Sequence, residues 1–111
     1  MDLMRATEAL GALAQESRLK VFRLLIRHGR DGLPAGEIAR SLGVPHNTMS
    51  AQLAILARAG LVTSRREGRS IIYAADLDGT RALLSFLVED CCRGSPEVCQ
   101  TLIESALAEC C

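Results

Sequence analysis

The chain has 111 residues, 13 basic and 13 acidic, for a formal net charge of zero, a length that gives one domain with a modest core. Hydrophobic residues reach 49% with one Tyr, two Phe and no Trp, so the core is built from Leu, Ile, Val and Ala, which suits packed helices. No apolar run approaches the ~20 residues needed to cross a bilayer, and Met1-Asp2-Leu3-Met4-Arg5 lacks the basic start and apolar run of a secretory leader; the expectation is a cytoplasmic protein with no membrane partner and reduced thiols.

Residues 3–14 read as a short helix, with Leu3, Ala6, Leu10 and Leu13 on one stripe. A second helix starts at Glu16 or Ser17, carries Leu19, Phe22, Leu25 and Ile26 at helical spacing, and stops at His28-Gly29. Arg30-Asp31-Gly32-Leu33-Pro34 is a turn-rich connection. Residues 35–42 form a short helix with Ile38, Ala39 and Leu42 inward, and Gly43-Val44-Pro45 is a tight turn. The next helix spans 46–59. At about 100° per residue, Met49, Leu53, Leu56 and Gly60 fall on one face and Asn47, Ala51, Ala54 and Arg58 on the other, with Thr48 and Ser50 on the flanks and Gln52 at the apolar edge. A small, polar outward face with a positive end permits close approach to a DNA groove and hydrogen bonds to base edges.

Leu61-Val62-Thr63-Ser64-Arg65-Arg66 and Ser70-Ile71-Ile72-Tyr73-Ala74 are β-rich runs, and Glu67-Gly68-Arg69 between them makes a hairpin. A long helix follows from Asp76 or Asp78, with Leu77, Leu84, Val88 and Cys91 on one stripe, Leu87 beside it, and Leu83 and Phe86 pointing elsewhere. A helix apolar on several sides must be covered, and a second copy of the chain, met also by the first helix, is the expected cover.

Helix, glycine-containing turn, helix and a two-stranded wing is the winged helix-turn-helix order. The expected fold is therefore mainly α with a small β-hairpin, a dimeric winged helix-turn-helix in a single domain over 1–111. Charge is distributed accordingly. Residues 46–75 carry Arg58, Arg65, Arg66 and Arg69 against Glu67 alone, whereas 76–111 carry seven acids against Arg81 and Arg93. A basic middle fits a phosphate-binding surface; on charge alone a solvated hairpin explains it equally well. The DNA-contact candidates are His46, Asn47, Thr48, Ser50, Gln52, Arg58, Arg65, Arg66 and Arg69, with His46 open between base reader and capping or surface residue. A dimer would present two reading helices roughly one DNA turn apart to an inverted repeat in double-stranded operator DNA.

All five cysteines lie at one end, as Cys91, Cys92, Cys99, Cys110 and Cys111. Arg93-Gly94-Ser95-Pro96-Glu97 punctuates two helices: Gly94 stops one, Ser95 caps the next, Pro96 takes its first position. Cys91 and Cys92 then end one helix and Cys99 begins another, where the helix N-terminus favours thiolate.

The stretches Leu13-Ala14-Gln15-Glu16-Ser17-Arg18-Leu19, Ile38-Ala39-Arg40-Ser41-Leu42-Gly43-Val44, Met49-Ser50-Ala51-Gln52-Leu53-Ala54-Ile55-Leu56, Ala59-Gly60-Leu61-Val62 and Arg65-Arg66-Glu67-Gly68-Arg69 resemble the ArsR family of small bacterial metal-responsive repressors, over nearly the whole chain. The resemblance implies a homodimer that holds its operator when metal-free, with no cofactor required for DNA binding, and releases it on binding an ion. It implies no enzyme, and His28 and His46, the only histidines, have no local nucleophile–carboxylate context. Two family sites are missing. The helix before the turn reads Gly36-Glu37-Ile38-Ala39, without the Cys-x-Cys of many arsenic sensors, and the last long helix has no His for zinc. The run Cys91 to Cys99 looks like a third family site type, in which clustered C-terminal cysteines bind trivalent arsenic.

Chemistry agrees with that assignment. Soft ligands select soft ions, and As(III), or Sb(III), favours three sulfurs, as Cys91, Cys92 and Cys99 offer. Zinc wants a fourth ligand; Asp90, water or another subunit keeps zinc, cadmium and lead open. Cys110 and Cys111 are secondary candidates, since one continuous helix would hold Cys99 and Cys110 ~16 Å apart. The metalloid-sensing segment is about 88–111. The alternatives are a redox switch pairing Cys91 or Cys92 with Cys99, and a protein-interaction winged helix whose thiols pack as small hydrophobes.

Overall fold

The computed structural model describes residues 1–88 and 96–107. Helix α1 (Leu3–Leu13) begins at Asp2, whose Oδ1 accepts the Arg5 N–H at 2.8 Å. Helix α2 (Glu16–His28) begins at Gln15, whose Oε1 accepts the Arg18 N–H at 2.9 Å. These side chains satisfy amides that a helix start leaves unpaired. A short 3-10 turn over Gly29–Asp31 leads into strand β1 (Leu33–Pro34), then α3 (Ala35–Leu42), α4 (His46–Arg58), β2 (Val62–Glu67), β3 (Ser70–Ala75), α5 (Leu77–Val88) and α6 (Pro96–Leu107).

The expected helices and hairpin are present among the described residues, the expected helix end at Cys91–Cys92 and the break at Gly94–Ser95 lie outside them, and the sheet has one strand more than expected. Its order is β1-β3-β2, all antiparallel, with Leu33 opposite Tyr73 and Pro34 opposite Ile72. Pro34, with no N–H to donate, sits on an edge strand, where it is tolerated. The 30–34 connection is thus part 3-10 turn and part strand.

The core is aliphatic. Val21, Leu25, Ile38, Met49, Leu53, Leu56 and Leu61 are fully buried, each contributing about 1.5–3 kcal/mol by leaving water. Two faces differ from expectation. Helix α2 buries Val21 and Leu25, with Phe22 half-buried, while Leu19 and Ile26 are exposed. In α1 the buried row is Ala6, Ala9 and Ala12, with Leu13 half-buried and Leu3 and Leu10 exposed. An alanine row lets α1 lie close to α2 and α4, while Leu3 and Leu10 face outward.

Two glycines hold the frame. Gly43 follows α3 in the left-handed region (φ 65, ψ 36); its N–H donates to the Arg40 carbonyl, and the Val44 N–H donates to that of Ala39. This pairing satisfies the last carbonyls of α3 and reverses the chain at a residue without a Cβ. Gly79, in the first turn of α5, lies against the turn after α4, where an added Cβ would strike the Gly60 carbonyl oxygen. The same joint is held by the Asp76 N–H donating to the Leu61 carbonyl at 2.8 Å and by the Gly79 N–H donating to Asp76 Oδ1 at 2.9 Å.

Helix α5 turns Leu83 into the core with Phe86 beside it, while Leu77, Leu84 and Leu87 are exposed. Leu102 and Ile103 of α6 are exposed too. Between the two helices runs an open apolar groove of about 550 Å³, lined by Leu77, Leu84, Leu87, Val88, Leu102 and Ile103 among others. No helix among the described residues is long and apolar enough to cross a membrane.

Candidate nucleic-acid interface

Helix α4 is anchored by Met49, Leu53 and Leu56, all buried, at the spacing of one helical face. That anchoring turns His46, Asn47, Thr48, Ser50, Ala51, Ala54 and Arg58 outward, all exposed. The exposed surface of the first turns is thus short and polar, with alanines behind it and no bulky side chain to keep a groove away. The helix starts directly after Pro45, which offers no side-chain cap. Asn47 Oδ1 accepts the Thr48 N–H at 2.9 Å.

The wing is the β2–β3 hairpin. Arg65 pairs with Ile72, Arg66 with Ile71 and Glu67 with Ser70, so Gly68 and Arg69 alone form its tip. Its arginines divide by their contacts. The Arg65 guanidinium is engaged on three sides: Nε lies 3.0 Å from Glu67 Oε1, Nη1 donates to the Arg30 carbonyl at 2.9 Å and Nη2 to that of Asp31 at 2.8 Å. It pins the wing to the 3-10 turn after α2. Arg66 and Arg69 are exposed and make no ion pair among the described residues.

Two further candidates sit apart from the leading end of α4. Arg58 ends the helix, exposed, and lines an open cleft with Glu8 of α1. Gln52 is half-buried on the flank of α4, and its Oε1 accepts from Arg18 Nη1 at 3.2 Å. Arg18 was not among the candidates by sequence. Its place beside Gln15 marks it as a first-turn residue of α2, but its reach to α4 is a tertiary contact that no local pattern encodes.

Of the thiols, Cys91, Cys92, Cys110 and Cys111 lie outside the described residues, and Cys99 stands in α6. Among the described residues no group of three His, Cys, Asp or Glu side chains converges as a metal site.

Comparison with known proteins agrees with this architecture. The helix-turn-helix domain family matches residues 13–65. The transcriptional activator HlyU of Vibrio cholerae is 30% identical over 83 residues, 75% of this chain and 74% of that protein. The regulator NmtR of Mycobacterium tuberculosis is 39% identical over 70 residues, 63% of this chain and 56% of its own. An arsenical resistance operon repressor assigned in Halobacterium salinarum is 36% identical over 76 residues, 68% of this chain and 58% of that one. The chain thus spans little more than half the length of several curated relatives it matches. Among solved structures, the homodimeric winged helix-turn-helix DNA-binding domain Mb0332 of Mycobacterium bovis superposes with a TM-score of 0.65 at 32% identity, covering 79% of this chain and 82% of that one. Helix-turn-helix, three-stranded wing sheet and flanking helices, together with these relatives, establish that the chain belongs to the ArsR family of winged helix-turn-helix transcriptional regulators.

Proposed function

We propose that this protein is a homodimeric repressor that binds operator DNA through α4 and the wing and is released when As(III), or Sb(III), binds Cys91, Cys92 and Cys99. The observation that carries the DNA half is the exposed polar start of α4, His46, Asn47, Thr48 and Ser50, accompanied by a wing with Arg66 and Arg69 exposed. The helix would read base edges in the major groove, and the wing arginines would hold phosphate and set register. Arg58 is at the far end of α4 and would meet the backbone only as the duplex passes it.

The dimer reading is supported by uncovered leucines on α1 and α5 and by the homodimeric Mb0332 domain. The inducer reading is supported by three thiols bracketing one helix break in the sequence, by the preference of soft ions for thiolate, and by similarity to the assigned arsenical resistance repressor. Arsenous acid would exchange its three hydroxyls for three thiols, each thiol proton leaving with a hydroxyl as one of three waters. The metal-free dimer needs no cofactor to hold DNA. A DNA-binding regulator works in the cytoplasm, where its thiols stay reduced.

Arsenite binding to the reduced protein, followed by sulfur–arsenic absorbance and by arsenic bound per protomer, tests the site. The expected result is one arsenic per protomer, lost in Cys91→Ser, Cys92→Ser and Cys99→Ser and kept in Cys110→Ser and Cys111→Ser. Undiminished binding in the triple variant would overturn the assignment. A second reading, a thiol redox switch, is favoured by one observation: a solved form of the similar HlyU is specified as reduced. Formation of a Cys92–Cys99 or Cys91–Cys99 disulfide that releases DNA, without arsenite binding, would establish that reading instead.

A further inference from the structure

One side chain touches three helices. Arg18 sits in the first turn of α2 with its N–H capped by Gln15. Its Nε donates to the Ala12 carbonyl at 2.6 Å, and its Nη1 donates to Gln52 Oε1 at 3.2 Å. The Ala12 carbonyl belongs to the last turn of α1, where no intrahelical donor remains and the helix dipole favours a cation. The guanidinium is therefore held by α1 and α2, and its free prong meets α4. Gln52 stands on the flank of α4, next to buried Leu53 and two positions before exposed Ala54. Its amide lies at the edge of the buried face, and the hydrogen bond turns it toward Arg18 of α2.

We propose that Arg18 and Gln52 are a positioning pair that fixes the rotation of α4 about its own axis against α1, and so the register of His46, Asn47, Thr48 and Ser50 on DNA, while neither residue contacts a base. Burial of Met49, Leu53 and Leu56 sets which face of α4 turns inward, and a directional charge-assisted bond at the edge of that face narrows the remaining rotation. Because α1 also carries exposed Leu3, Met4 and Leu10, the pair ties the uncovered face of α1 to the reading helix. This inference rests on the DNA-reading half of the proposed function and is independent of the thiols.

The test uses the full-length reduced protein, a duplex it enriches from a random library, and an unrelated duplex of equal length. Arg18→Met and Gln52→Leu should each weaken binding to the selected duplex roughly 10-fold, a loss of about 1.4 kcal/mol. The double variant should lose no more than either single one, and binding to the unrelated duplex and its salt dependence should not change. Gln52→Glu keeps an acceptor for Arg18, so it should preserve the ratio of selected to unrelated affinity while weakening both equally through its negative charge. Arg18→Lys keeps the cation at the end of α1 but loses the fork, and should reproduce the ratio loss should Arg18→Met not fold. Additive losses, with Gln52→Glu as damaging to the ratio as Gln52→Leu, would make Gln52 a base reader and overturn the pair. Equal losses on both duplexes with a lowered thermal midpoint would reduce it to fold support and overturn it too. A wild-type protein that enriches no sequence would remove the DNA reading itself, and this inference with it.

Discussion

The three arginines of the wing differ in their side-chain contacts. Arg65 spends its donors on Glu67 and on the carbonyls of Arg30 and Asp31, so its removal should loosen the wing. We expect Arg65→Ala to cost about 1 kcal/mol of stability in urea unfolding, below the range for buried hydrogen bonds to a charged group because its side chain is 44% exposed. Arg66→Ala and Arg69→Ala should leave stability unchanged, weaken binding to all duplexes alike, and each reduce the slope of log affinity against log salt by about 1. A stable Arg65→Ala protein with the same slope change would place Arg65 on phosphate instead. Within α4, Asn47→Ala and Ser50→Ala should lower affinity for the selected duplex only, by about 1–3 kcal/mol for a residue that pairs with a base edge; equal losses on an unrelated duplex would remove that residue from the readers.

Among the elements, α5 is the one that both completes the core and leaves it uncovered. Leu83 packs inward while Leu84 and Leu87 border the open groove with α6. Leu84→Glu with Leu87→Glu should therefore yield a folded monomer by sedimentation, with DNA affinity reduced by loss of the second reading helix; a dimer of unchanged stability would move the interface elsewhere. The joint at the start of α5 should be intolerant of volume. Gly79→Ala forces a Cβ against the Gly60 carbonyl and should destabilise the fold by about 1–3 kcal/mol in denaturant titration. Most of these elements are legible in the sequence. The apolar period of residues 46–59 identifies the buried face of α4, and Gly43 and Gly68 mark the turn and the wing tip. The inward face of α1 was not legible, because hydrophobic pattern weights leucine above alanine while close helix packing selects Ala6, Ala9 and Ala12. Strand β1 was not legible either: Leu33–Pro34 is too short for a pattern and is made a strand only by Tyr73 and Ile72, distant in the chain. The Arg18–Gln52 contact escapes for the same reason.

For the whole molecule, a few joints tie the described elements together: Arg18 between α1 and α4, Arg65 between the wing and the turn after α2, and Gly79 between α5 and the end of α4. An ion bound by Cys91, Cys92 and Cys99 would act on DNA only if it shifts those joints, and a tenfold loss of affinity requires only about 1.4 kcal/mol of coupling. The most direct test is fluorescence anisotropy of the reduced protein on its selected duplex, titrated with arsenite at fixed salt. The account predicts saturable binding that falls as arsenite is added, with Cys91→Ser, Cys92→Ser and Cys99→Ser proteins still bound at the same arsenite concentration. Anisotropy that stays constant through the titration would contradict it.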